Sequence, residues 1–181
     1  DKIFDKIHNI LIGNNRTALK TSCQKAIELG YNASILSSYM KGEAREVAKV
    51  FSAIAREIHR YGEPVKRPAC IIAGGETTVR VHGNGMGGRN QEFVLSTAME
   101  IDGLENTVIL SAGTDGIDGN TNAAGAIADG STVMRAKRIK MDPETYLDAN
   151  NSYSFFKGLN DLIVTGPTRT NVMDIMLLLV G

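Results

Sequence analysis

Gly83-Asn84-Gly85-Met86-Gly87-Gly88-Arg89-Asn90-Gln91-Glu92 places four glycines in six residues and then a run of polar side chains. Glycine lets a backbone turn through positive φ and approach another group closely. The polar residues open a helical apolar pattern, predicted from about Arg89 to Ile101 and closed by Gly103. Before the glycines, Thr77 to His82 alternates, which predicts a strand with one wet face. Free N–H groups at the helix start, beside the Arg89 guanidinium, favour an anion and point to phosphate.

The same unit recurs on both sides. Ile7 to Ile12 reads as a short strand ending at Gly13-Asn14-Asn15, followed by a helix carrying Leu19, Cys23, Ala26 and Ile27 and stopped by Gly30. Tyr31 to Leu36 predicts a second strand. Ala44, Val47, Ala48, Phe51, Ile54, Ala55 and Ile58 then repeat at helical spacing up to Gly62. Residues 1–62 therefore read β-α-β-α, and Gly62 to Pro68, with two prolines, reads as a linker. Further strands are expected at Ala69–Ala73, Thr107–Ala112, Leu162–Thr165 and Ile175–Val180. Short helices are expected from Ser131 or Thr132, from Asp142-Pro143 as N-cap and first helical residue, and from Asn151 or Ser152. Alternating strands and helices imply a layered α/β/α fold with a mostly parallel sheet. Ligands of such sheets bind at strand carboxyl ends. The glycine-rich or polar loops at Gly13–Asn15, Gly74–Thr77, Gly113–Asp118 and Gly166–Asn171 should then meet at one crevice.

Composition narrows the partners. Across 181 residues, 20 Lys+Arg balance 20 Asp+Glu, so no overall field draws the chain to nucleic acid or an anionic membrane. Absence of Trp argues against a base-stacking platform. No apolar run reaches the roughly 18 residues of a membrane span. Cys23 and Cys70 match no metal or redox spacing and read as reduced thiols of a cytoplasmic protein. His8, His59 and His82 pair visibly with no nucleophile. The chain starts Asp1-Lys2-Ile3, which reads as a piece of something longer.

Asp115 and Asp118 lie in Gly113-Thr114-Asp115-Gly116-Ile117-Asp118-Gly119, after a strand. Mg²⁺ takes one or two carboxylates plus phosphate oxygens, and this loop could present both; an Asx-type turn reads equally from the residues. Glu76 follows Gly74-Gly75 at another strand end as a third candidate. Thr168, Thr170 and Asn171 on the turn after Gly166-Pro167 suit phosphate or substrate hydroxyls. Gly83, Gly85 and Gly88 also fit the dinucleotide pattern G-x-G-x-x-G, so an NAD(P)-linked enzyme stays open.

Taken in order, Gly74-Gly75-Glu76-Thr77-Thr78-Val79, Gly87-Gly88-Arg89-Asn90-Gln91-Glu92, the Gly113–Gly119 loop and Thr165-Gly166-Pro167-Thr168 to Asn171-Val172 resemble the carboxy-terminal portion of the glycerate 2-kinases, the MOFRL domain. The resemblance covers residues 69–181. Residues 1–62, with Gly42-Glu43-Ala44-Arg45, resemble the end of that family's Rossmann-like first domain. It implies ATP-dependent phosphorylation of D-glycerate with Mg²⁺, in a cleft shared with a first domain mostly missing here, and leaves a homodimer open. It implies Arg89 and Asp115 as catalytic residues, and Gly85, Gly87, Gly88, Asn90, Thr114, Thr168 and Asn171 as nucleotide or substrate contacts. Asp115, Asp118 and Glu76 become the metal ligands. Arg169 departs from the family, where a small residue such as glycine is common. The alternatives are an NAD(P)-dependent hydroxypyruvate reductase and a non-catalytic folded fragment.

Overall fold

A computed structural model describes residues 7–8 and 10–181. Its elements are α1 (Asn15–Glu28), β1 (Asn32–Met40), α2 (Ala44–Tyr61), β2 (Ala69–Gly75), α3 (Arg89–Glu100), β3 (Thr107–Gly113), β4 (Gly125–Asp129), α4 (Thr132–Arg138), α5 (Pro143–Asp148), α6 (Ser152–Leu159), β5 (Leu162–Ile163) and β6 (Asp174–Val180). They form one six-stranded sheet in the order β1-β2-β6-β3-β4-β5. Helix α1 covers one face, where Leu19 and Ala26 pack with Cys70 and Ile72 of β2 and with Leu177 and Leu179 of β6. The other helices cover the second face. There Phe51, Phe93, Phe155 and Phe156 pack with Ile71, Ile109, Met176 and Leu178 in the main core.

The layered α/β/α class holds, but the mostly parallel sheet does not. Only β1 and β2 pair in parallel; β2–β6, β6–β3, β3–β4 and β4–β5 are all antiparallel. Parallel neighbours need a crossover long enough to hold a helix, and α2 supplies one between β1 and β2. No helix separates β3 from β4 or β5 from β6, so those strands reverse direction. Strand β6 inserts between β2 and β3, with Asp174 in register with Gly75 on one side and Gly113 on the other.

Two predicted strands are absent. Ile7 and His8 and residues 10–12 are not in a strand, and Ile10, Leu11 and Ile12 are 82%, 77% and 97% exposed; Asn9 lies outside the described residues. An apolar run becomes a strand only where a neighbouring edge accepts it. Thr77 to His82 makes a single isolated bridge, Thr78 to Glu43. The break at Gly62–Pro68 is a loop and no layer boundary: β1 pairs with β2 across it, and α2 shares its core with α3.

Local signals otherwise hold. Gly62 ends α2 in the left-handed conformation, and the Asp142 carboxylate accepts from Thr145 N at the start of α5. Cys70, buried on β2, has its thiol pushed up to about 11 by that burial, which keeps it protonated. The main core has a definite centre in the edge-to-face pair Phe51–Phe93, with ring centroids 5.1 Å apart. Truncating Phe51→Ala should destabilise the protein by about 3–5 kcal/mol, read as a lower denaturant midpoint.

Candidate active site

Arg89 is the first residue of α3, and its direction is set by a carboxylate at the start of β6. The guanidinium donates from Nε to Asp174 Oδ2 at 2.6 Å and from Nη2 to Asp174 Oδ1 at 3.0 Å. A two-point fork of this kind fixes a planar cation in both position and rotation. Asp174 is fully buried between β2 and β3, whereas Arg89 keeps 30% of its side chain exposed. Its Nη1 reaches Glu76 at 3.2 Å, at the end of β2. Hydrogen bonding to Asp174, with the charges of Asp174 and Glu76, holds Arg89 above its usual pKa against the opposing effect of burial. In the sequence Asp174 is simply the charge immediately before the apolar run Ile175–Val180. A carboxylate directly against a strand buried on both sides is the signal that could have marked it.

The start of α3 does bind an anion, and that anion is Asp118. Its Oδ1 accepts from Asn90 N at 3.1 Å and Asn90 Nδ2 at 3.2 Å; its Oδ2 accepts from Gln91 N at 2.9 Å and Gln91 Nε2 at 3.0 Å. Two of the helix N–H groups expected to await a phosphate, those of Asn90 and Gln91, are thus taken up by the protein's own carboxylate. Only 1% of Asp118 is exposed, so the expected metal-ligand role is corrected to a helix cap. Burial raises its pKa, and the four N–H donors pull the other way. Asn90 is likewise internal: Nδ2 also donates to Asp174 Oδ1, and Oδ1 accepts from Ser111.

The glycine loop also differs from its sequence reading. Its glycines make room for other parts of the protein. A Cβ at Gly83 or Gly85 would collide with the Ala149 carbonyl, one at Gly87 with Ser152, and one at Gly88 with Asp118. The loop's amides at Gly83, Gly85, Met86 and Gly87 donate to Asn150, Ala149, Asn151 and Asn120. With no strand before it and its helix already capped, the loop lacks the parts of a dinucleotide-binding turn.

The four expected loops do meet at one end of the sheet. Asn15, at the start of α1, brings in the first of them by donating Nδ2 to the carbonyls of Val172 and Asp174. Two groupings result. Glu76, Gly85, Gly87, Gly88, Arg89 and Glu92 line a cavity of about 730 Å³, together with Lys41 and Asn150, which sequence reasoning left out of the site. Asp115, Thr114, Thr168 and Asn171 instead tie two loops together. Thr114 Oγ1 donates to Met173 O at 2.7 Å, Thr168 N to Asp115 O at 3.1 Å, and Asn171 Nδ2 reaches Asp115 Oδ2 at 3.5 Å. Asp115 also accepts from Ile117 N as an Asx turn. Arg169 sits at φ 62, a conformation glycine adopts without strain.

The MOFRL family matches residues 69–174, from the first residue of β2 to Asp174. The chain belongs to the MOFRL family. The D-glycerate 2-kinase of Thermotoga maritima is 46% identical over 167 residues, covering 92% of this chain and 40% of that protein. A crystal structure of a Thermotoga maritima glycerate kinase superimposes with a TM-score of 0.93 at 45% identity, covering 95% of this chain and 42% of that one. An Agrobacterium vitis protein whose name proposes a hydroxypyruvate reductase is 40% identical over 173 residues, covering 94% of this chain and 40% of its own length. The chain thus spans about two fifths of the length of these MOFRL relatives.

Among the described residues no three His, Cys, Asp or Glu side chains gather as a metal cluster. Of the expected metal ligands only Glu76 lines the cavity, and it is exposed. One such carboxylate fits the sparse protein ligation that Mg²⁺ takes when phosphate oxygens and water fill its other positions. Asp118 is available for no such role. Substituting Asp118→Ala should lower stability by about 3 kcal/mol, since it strips the buried N–H groups of α3 of their acceptor. Urea unfolding of the ligand-free protein checks this; a cleft-exposed metal ligand would give almost no change there.

Proposed function

We propose that this chain is part of a glycerate 2-kinase, in which it supplies one wall of the site where ATP phosphorylates the 2-hydroxyl of D-glycerate to give 2-phosphoglycerate. The reading rests above all on Arg89, a guanidinium locked by buried Asp174 at the edge of a roofless 730 Å³ cavity. Phosphoryl transfer asks for in-line placement and neutralisation of charge more than for covalent chemistry. A fixed guanidinium meets that demand, because it need not reorganise as charge develops. Its N–H groups beyond those held by Asp174 can face the transferring phosphoryl group or clamp the glycerate carboxylate. Lys41 adds a second cation to the cavity wall, and Glu76 offers a carboxylate to a Mg²⁺ carried in by the nucleotide.

In this reading the remainder of a longer polypeptide supplies the opposing wall, and residues 69–181 correspond to its carboxy-terminal portion. Asp115, Thr168, Thr170 and Asn171 shape the site from behind, by holding the loops after β3 and β5 against each other. The relatives named as glycerate kinases support this function, as does the fixed fork between Arg89 and its buried partner. A reductase using NAD(P) gains no support from the glycine loop, whose amides are already engaged.

Arg89→Ala would leave Asp174 charged and unpaired in the interior, mixing a folding defect with a catalytic one. Arg89→Lys keeps the charge and removes the fork. In the full-length enzyme it should lower kcat/KM for glycerate by about 100-fold or more while the protein still melts cooperatively. Near-normal turnover would remove Arg89 from the reaction. The isolated chain should bind Mg-ATP weakly and phosphorylate no measurable glycerate; turnover by this piece alone would show that no second wall is needed.

A further inference from the structure

Part of the cavity wall is made by residues 79–87, which belong to no strand or helix. An irregular segment of this length needs its backbone groups satisfied by something else. Asn150, which is 7% exposed and sits between α5 and α6 at φ 51, satisfies three of them, the others going to Ala149, Asn151, Tyr153 and Asn120. A side-chain amide has two donor and two acceptor positions, and Asn150 uses all four. Its Oδ1 accepts from His82 N at 2.8 Å and Gly83 N at 2.9 Å. Its Nδ2 donates to the Arg80 carbonyl at 3.1 Å and to Glu92 Oε2 at 3.0 Å.

Glu92 is buried, and it is held from the other side. Its Oε1 accepts from Arg45 Nε at 2.9 Å, and Arg45 Nη2 donates to the Leu147 carbonyl at 2.6 Å. Burial opposes the charge on Arg45, but its bonds to Glu92 and the nearby Asp148 carry its pKa above the usual value. The relay therefore starts on α2, crosses α3 and ends on the backbone of the cavity wall. None of these three residues is needed for the core, and each presents its polar atoms to the next. Their arrangement is that of a truss.

We propose that Asn150, oriented by Glu92 and through it by Arg45, is the positioning residue of this wall: it sets the shape of the binding cavity and takes no part in the chemistry. The proposal rests on the kinase reading only for the choice of ligands. Asn150→Asp keeps the acceptor for His82 and Gly83 but turns a second oxygen towards Glu92, so that like charges replace a hydrogen bond. Adding Glu92→Gln returns a donor across that contact with its polarity reversed.

The experiment uses the full-length enzyme, with steady-state kinetics for D-glycerate and Mg-ATP and amide hydrogen exchange on the same proteins. Asn150→Asp should raise KM for at least one of the two about tenfold while kcat changes by less than about threefold. Exchange at residues 80–87 should quicken while β2, β3 and β6 keep their protection. The double variant should recover most of the KM. An unchanged KM, faster exchange spread over the whole molecule, or a double variant worse than Asn150→Asp would each overturn the proposal. A parent enzyme that turns over no glycerate would defeat the kinase reading alone. In that event exchange at His82 and Gly83 still decides whether Asn150 holds the wall.

Discussion

A buried carboxylate at the start of the central antiparallel strand organises this molecule. Asp174 lies between β2 and β3, in register with Gly75 and Gly113, where water cannot stabilise its charge. An unpaired carboxylate there would be costly, so the protein must deliver a cation to it. Arg89 is that cation, and it can arrive only if α3 begins at this end of the sheet. The glycine loop, the placement of α3 and the preset angle of the guanidinium all follow from meeting that requirement. The interaction that completes the fold therefore also aims the group proposed to act on the substrate.

A second internal charge does related work. Asp118 occupies the N-terminus of α3 and takes up the Asn90 and Gln91 N–H groups that such a terminus would otherwise offer a ligand. The net effect is a division of labour at one helix start. The N–H groups of Asn90 and Gln91 are committed to the fold, while the side chain of Arg89 remains partly open to the cavity. Arg89 and Lys41 are the cationic side chains this end of the sheet presents to an anion there.

Dense glycine in a polar loop has two physical origins that look alike along a chain. One is close approach of backbone to a ligand; the other is close approach of backbone to other parts of the same protein. Gly83, Gly85, Gly87 and Gly88 belong to the second kind, since the atoms that exclude a Cβ are those of residues 149–152 and 118–119. What separates the two cases is the partner, and the partner lies more than sixty residues away for the first three glycines. The same distance hides the roles of Asn150 and Glu92, whose contacts join residues apart in sequence.

Local patterns along the chain were enough for the layered α/β class, most of the elements, the caps at Gly62 and Asp142, and Arg89 as the residue to watch. These depend on side-chain periodicity and on backbone preferences that act over a few residues. Strand direction, the loss of the strands expected at Ile7–Ile12 and Thr77–His82, Asp118 as a cap and Asp174 as the arginine's partner were decided only in three dimensions. Each turns on which edge, helix end or charge lies opposite, and burial alone gives such pairings their energy. A charge that water would screen at the surface becomes, at the junction of three strands, the fixed point around which a site is built.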